Sequence, residues 1–200
     1  MILNSNVCKN NFYPYTICPM TVFISCGHNN ARTSWYSVTR DNWAVGNGFT
    51  EYQVVRKVAN QLLKTYAGKH KLSILPEGLN LQDRIKFINA NAKTWDICIE
   101  LHMNSGPAVA SGNEVFYHWD YPKMASTCDK ISKTLEKWMW VIARGAKPDT
   151  STRFGRLGFC RDTTPVAYLI ELGFISNMDD IDDVWSKGAA SLTTVINTVF

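Results

Sequence analysis

Five residues, Val166-Ala-Tyr-Leu-Ile170, form a near-continuous apolar run that ends on one carboxylate, Glu171, followed by Leu172-Gly-Phe-Ile-Ser-Asn177. A run with no polar face is the pattern of a strand covered on both sides, which demands layers packed above and below a sheet. A lone carboxylate at the end of such a strand is costly to bury unless a charge or a chemical task compensates it. Two earlier runs offer partners. Met20-Thr-Val-Phe-Ile-Ser-Cys26 is β-branched and aromatic and stops at Gly27-His28-Asn29-Asn30; Trp95-Asp-Ile-Cys-Ile-Glu-Leu101 stops at His102-Met103-Asn104. Two histidines and a glutamate therefore stand at the C-terminal ends of separate strands, the edge at which open α/β sheets bind ligands.

Helical segments separate these strands. Thr50-Glu-Tyr-Gln53 has the form of a capping box, followed by Val55, Val58, Leu62 and Tyr66 at helical spacing, with Gly68 expected to close the helix. Asn80 is expected to cap a second helix with the stripe Leu81, Ile85, Ile88 and Ala92. Lys71 to Leu75 and Asn113 to Trp119 read as strands, and Pro122 suits the first turn of a third helix with Cys128, Ile131, Leu135, Trp138 and Ile142 on one face. Arg144 to Arg156 reads as a basic connection and Leu157 to Cys160 as a short strand, and Asp179 to Phe200 as a helix broken near Gly188. Strands alternating with helices predict an α/β fold, a mostly parallel sheet flanked by helices. The expected organisation is an N-terminal arm over residues 1–20 packed on a single domain over 21–200. Asn29 to Thr50 is long and aperiodic, as functional loops often are.

Composition narrows the partners. The 200 residues carry a formal net charge of +4, a mild bias that suits an anionic partner without requiring one. The basic residues neither cluster on one helix nor interleave with an aromatic motif, so nucleic acid is not expected, and no segment is apolar enough to span a membrane. The six cysteines form no Cys-x-x-Cys pair, against a zinc knuckle or a disulfide scaffold; only Cys8 and Cys18 suggest a bridge. The first fifteen residues lack the basic-then-apolar pattern of a signal peptide, so synthesis in a cytoplasm is expected.

His28, Glu51 and His102 offer two imidazoles and a carboxylate, the ligand set of a hydrolytic zinc site with a fourth position left for water, and Glu171 would be the free carboxylate that takes that water's proton. Sequence spacing alone does not join them, and each has a structural reading: a glutamate in a first helical turn suits the dipole there, and Arg84 suits a salt bridge. Glu100, two residues before His102, lies on the same strand face and suits a carboxylate steadying that ring. Two other readings compete: a cysteine peptidase using Cys26 and His102, and a wall-binding module without turnover.

Gly27-His28, Glu51 opening a helix, Leu81 to Arg84 then Asn91, His102-Met103-Asn104, Gly112 to Tyr117 and Glu171 to Asn177 occur in the order and context found in the zinc-dependent N-acetylmuramoyl-L-alanine amidases of the amidase_3 type, which the chain resembles from about Thr21 onward. The resemblance implies a twisted, mostly parallel sheet flanked by helices and cleavage of the amide between the lactyl group of N-acetylmuramic acid and L-alanine in peptidoglycan. It implies Zn2+ as cofactor, His28, Glu51 and His102 as its ligands and Glu171 as the catalytic glutamate, with Glu100, Asn104 and Arg84 around the metal or substrate. Glu100 departs from the family, which commonly has a small residue there, and the long loop makes Asp41 a competitor to Glu51. A monomeric phage-type endolysin is the expected setting, reaching the wall after holin-type release.

Overall fold

The computed structural model describes residues 7–10, 13–17, 19–28 and 44–200. In chain order the elements are β1 (Val7–Asn10), β2 (Tyr13–Ile17), β3 (Thr21–Cys26), β4 (Val45–Gly46), β5 (Phe49–Thr50), α1 (Glu51–Thr65), β6 (Lys71–Ile74), α2 (Leu81–Asn91), β7 (Ile97–Asn104), β8 (Asn113–Tyr117), α3 (Met124–Met139), β9 (Ala143–Pro148), α4 (Gly158–Asp162), β10 (Val166–Phe174) and α5 (Met178–Val199). Six strands form one sheet in the order β6-β3-β7-β10-β8-β9, while β1 with β2 and β4 with β5 form separate two-stranded ribbons. The strands β6, β3, β7 and β10 are parallel; β8 runs antiparallel to β10, and β9 follows β8. This is the α/β fold expected from the alternation of strands and helices.

The apolar strands are covered on both faces, as their composition demands. Tyr168, Ile170 and Leu172 of β10 join Ile99 and Leu101 of β7 and Ile24 of β3 in a large core with α1, α3 and α5. Ala167 lies on the opposite face with Phe23, Ile88, Cys98 and Phe159, under the thinner layer of α2 and α4. Leu169 follows on that face, packed on Phe116 and Cys160. The next residue in this alternation is Glu171, which therefore sits where the thin layer ends.

Several local expectations change. The third helix starts at Met124, two residues after Pro122, and buries Cys128, Ile131, Leu135 and Met139, whereas Trp138 and Ile142 are exposed. Met139 takes the buried i+4 position after Leu135, and Ile142 lies beyond the end of the helix. The first helix stops at Tyr66, whose extended backbone ends it before Gly68. Ala143–Pro148 is a strand added to the sheet edge, and Gly158–Asp162 is a short helix in place of the expected strand. The C-terminal helix is continuous through Gly188, where an added Cβ would meet Val58 Cγ1 at 3.2 Å, so this glycine lets α5 approach α1. The Asn29-to-Thr50 stretch contains the β4–β5 hairpin, while residues 29–43, and Asp41 with them, lie outside the described residues. Cys18 of the suggested Cys8–Cys18 bridge also lies outside the described residues, and of the N-terminal arm the backbone ribbon of β1 and β2 is described together with residues 19 and 20.

The segment after Glu171 is a joint that fixes the strand end. β10 continues to Phe174 through a register shift, and Asn177 then caps α5 by accepting from the Asp179 and Asp180 backbone N–H groups. Buried Asp180 turns back: its Oδ2 accepts from Phe174 N at 2.8 Å and Gly112 N at 3.2 Å, and its Oδ1 accepts from Ser111 Oγ at 2.6 Å. Gly173 leaves room for it, since an added Cβ would lie 3.0 Å from Asp180 Cβ. Asp180→Ala strands two buried N–H groups, and a loss of about 2–4 kcal/mol is expected in urea unfolding.

Candidate functional site

The backbone geometry at the strand ends brings His28, Glu51 and His102 together. β3 closes with a turn in which His28 has φ 52°, and Gly27 N donates to Leu101 O at 2.8 Å, tying the turn to β7. An added Cβ on Gly27 would lie 2.3 Å from His102 Cε1, so the ring of His102 packs directly on this glycine. The rings of His28 and His102 then meet edge to face with centroids 5.1 Å apart. Glu51 arrives as the first residue of α1, held by the capping box of Thr50 and Gln53 and by the hydrogen bond from Glu51 N to Ala44 O at 2.9 Å.

One ligand atom from each of these three residues lies within 4.8 Å of the other two, a grouping that could hold a metal ion. Glu51 Oε1 is 2.7 Å from His102 Nδ1 and accepts from Met103 N at 3.0 Å; its Oε2 is 3.5 Å from His28 Nε2. On the far side of the ring, His102 Nε2 is 3.0 Å from Glu100 Oε1, which also accepts from Arg84 Nη2 at 3.0 Å. Arg84 is anchored in turn by donating from Nη1 to Leu79 O at 3.1 Å.

This arrangement fits a cation. Ionised Glu51 and Glu100 can only accept, so each favours a proton on the ring nitrogen it faces, and a metal ion held between Glu51 and Nδ1 would take the place of the proton there while the Nε2 proton stays with Glu100. The 2.7 Å between Nδ1 and Glu51 Oε1 is thus a contact bridged by a positive charge, a proton or a metal ion. The charges respond accordingly. Burial would lower the His102 value, but the carboxylates of Glu51 and Glu100 raise it well above the ordinary range. Burial would raise Glu51, but His102, His28 and the Met103 N–H hold it below the ordinary carboxylate range; Glu100 is held low against its burial by Arg84 and His102.

Glu171 differs from them. It pairs in register with His102 on β7 and with Glu114 on β8. Its Oε2 is sealed from solvent and has no hydrogen-bond partner among the described residues. Burial pushes its carboxyl up to about 8, opposed by the charge of His102 and reinforced by Glu51, Glu114 and Glu100. Such a group is poised to exchange a proton near neutrality.

Asn104 lies beyond His102, where its Nδ2 donates to Glu114 Oε1 at 2.8 Å. Glu114 was not singled out from the sequence. It also accepts from Arg144 Nε at 2.9 Å and pairs with Lys147 Nζ, so two cations and one amide donor surround it. The available signal was an acidic residue within the apolar strand Val115-Phe-Tyr117. Cys26, by contrast, is buried among core side chains and its thiol is pushed up to about 12, mainly by burial, which removes the thiolate that a cysteine peptidase needs.

A groove of about 970 Å³ connects His28, Glu51, His102 and Glu171 with Glu114 and with the segment after β9. A family model described as N-acetylmuramoyl-L-alanine amidase matches residues 22–191. The chain belongs to this amidase family. It is 29% identical over 173 residues to an uncharacterized protein, YqiI, of Bacillus subtilis (strain 168), covering 84% of this chain and 76% of that protein. Among solved structures, the catalytic domain of the CD27L endolysin, described as targeting Clostridia difficile, superposes with a TM-score of 0.62 at 24% identity, covering 88% of this chain and 94% of that one. The Ami1 amidase of Mycobacterium abscessus does so with a TM-score of 0.67 at 17% identity, covering 90% and 98%. At these identities the superpositions show the amidase fold.

The raised Glu171 value gives a signed prediction for the metal-free amidase. The folded form keeps a proton that the unfolded chain sheds near 4.5, so this group's contribution to stability falls as pH rises from about 4.5 to about 8 and is constant above that. Glu171→Gln, which carries no such charge, is expected to unfold at higher temperature than the wild type in chelator, by a margin equivalent to about 1–3 kcal/mol at pH 8 and vanishing near pH 4. Parallel thermal melts across that range measure it.

Proposed function

We propose that this amidase is a zinc enzyme in which His28, Glu51 and His102 hold the metal and Glu171 is the catalytic carboxylate, hydrolysing the amide between the lactyl group of N-acetylmuramic acid and L-alanine in peptidoglycan. The observation that carries this reading is the convergence of two imidazoles and a carboxylate within 4.8 Å, beside a carboxylate that has one unpartnered buried oxygen. Two nitrogens and one oxygen from protein with a position left open are a zinc-hydrolase set. A cation bound there supplies Lewis-acid polarisation of the scissile carbonyl and acidifies the attacking water.

The chain's own residues do the remainder. Glu171 accepts a proton from the attacking water, whose oxygen bonds to the lactyl carbonyl carbon; as the C–N bond breaks, the same carboxyl returns the proton to the alanine nitrogen. The products are a lactyl carboxylic acid and a free alanine amine. Glu100, locked by Arg84, holds the Nε2 proton of His102 and so keeps Nδ1 as the ligand atom. Asn104 spans from the end of β7 to Glu114, the residue paired with Glu171 across β8 and β10, and holds its carboxylate by a hydrogen bond. Residues 21–200 form the catalytic domain in this proposal, with 1–20 as an arm.

Mass analysis of products from purified peptidoglycan tests the reaction: new alanine amino termini are expected, with loss on chelation and recovery with Zn2+. Glu171→Gln should retain zinc while losing activity by about 10²-fold or more; a variant that binds zinc and works at the wild-type rate refutes its assignment. The endolysin setting predicts that the purified chain alone clears a suspension of isolated walls.

The Glu100 role has its own measurement. Glu100→Gln keeps the shape but offers only one carbonyl acceptor to two donors. Zinc affinity of the stripped protein, read by calorimetric titration, is expected to fall about tenfold or more with the circular dichroism unchanged.

A further inference from the structure

The groove has a second wall whose residues are outside the hydrolytic cluster. It is built by residues 149–158, between β9 and α4, and includes Arg153, Phe154 and Arg156. Its anchor is Asp149, fully buried although charged: Oδ1 accepts from Trp119 N at 3.1 Å, Oδ2 accepts from Leu157 N at 3.1 Å, and the Arg161 guanidinium pairs with it. The Asp149 backbone O accepts from Thr152 Oγ1 at 2.9 Å, and Gly155, with φ 62°, turns the chain back while its carbonyl accepts from Arg161 Nη2 at 3.2 Å. The carboxylate thus ties both ends of the segment to the sheet edge and leaves its tip standing over the groove.

The charges along the groove are almost all matched. Arg84 pairs with Glu100, Lys147 with Glu114, and Arg156 with Asp162. Arg153 is the exception among the described residues: it meets no carboxylate, and its guanidinium lies 4.8 Å from the ring centroid of Phe154, which is itself 69% exposed. A guanidinium supported on an aromatic face and open to a groove presents a fork of N–H donors that matches a carboxylate.

We propose that Arg153 and Phe154 form a subsite for a free carboxylate on the peptide stem of the substrate, so that this amidase favours stems carrying free rather than amidated carboxyl groups. The inference rests on the peptidoglycan-amidase reading above. The stem's carboxylate supplies the anion that Arg153 lacks among the described residues, and Phe154 covers the adjoining aliphatic part of the stem.

The test uses one batch of purified peptidoglycan before and after its stem carboxyls are converted to amides, with release of alanine amino termini as the readout. The wild-type protein should show a ratio of kcat/KM, free acid over amide, of roughly three to ten, falling as salt is raised. Arg153→Gln should bring the ratio close to one, Arg153→Glu should take it below one, and Arg153→Lys should keep most of the preference. Equal rates on both walls with the wild type, or an unchanged preference in Arg153→Gln, overturns the subsite while leaving the amidase reading in place. Release from neither wall overturns the amidase reading and the subsite with it.

Discussion

The site depends on one imidazole held between two carboxylates. His102 has Glu51 at one ring nitrogen and Glu100 at the other, 2.7 and 3.0 Å away, and all three are buried. An isolated pair of carboxylates in such a place would be driven neutral by desolvation. They stay in their charged forms because positive charge is supplied from both directions, by Arg84 behind Glu100 and by the ring itself between them. The same field makes Nδ1 a point where positive charge is favoured, whether carried by a proton or by a metal ion. A metal ion bound there would displace that proton, so metal binding is coupled to pH.

The fold makes this possible by supplying each member from a rigid element. His102 and Glu100 alternate on the central strand β7, Glu171 lies beside His102 on β10, and Glu51 is fixed by the hydrogen-bonded start of α1. The thin layer of α2 and α4 covers the strand faces only as far as Leu169 and Cys98, so the next residues in each alternation, Glu171 and Glu100, fall where cover gives way to the groove. Gly27 and Gly173 mark two close approaches, one beneath the ring of His102 and the other beneath Asp180.

Much of this was legible in the sequence because it depends on local rules. The capping box at Thr50 and Gln53, the cap at Asn80, and the three apolar strand runs are local patterns, and the structure has each of them. The face shared by Glu100 and His102 followed from strand alternation. What was not legible depended on distant contacts. Ala143–Pro148 looks like a basic linker because it is an edge strand with Arg144 and Lys147 turned to Glu114, and nothing local marks that pairing. The expected break at Gly188 failed because the glycine serves the contact with Val58 on another helix. Glu114 was missed for the same reason: its meaning lies in Asn104, Arg144 and Lys147, which come from two other strands.

Those partners also explain how four carboxylates in one groove take different characters. Glu51 is compensated by the histidines and the Met103 N–H, Glu100 by Arg84, and Glu114 by Asn104, Arg144 and Lys147. Glu51 and Glu100 are thereby held below the ordinary carboxylate range. Glu171 has His102 nearby but no donor on its sealed oxygen, and three like charges around it, so its proton affinity is the one left free to rise. Separating the proton affinities of neighbouring carboxyl groups by their surroundings is how one site obtains both anchoring charges and a proton acceptor from the same side-chain chemistry. Glu114 stands opposite Glu171 across the β8–β10 pair and its charge is one of those that push Glu171 up, so the donors around Glu114 set part of the field at Glu171. The lysine and arginine on the edge strand β9, remote in sequence from every strand-end residue, thus belong to the electrostatics of the proposed proton acceptor.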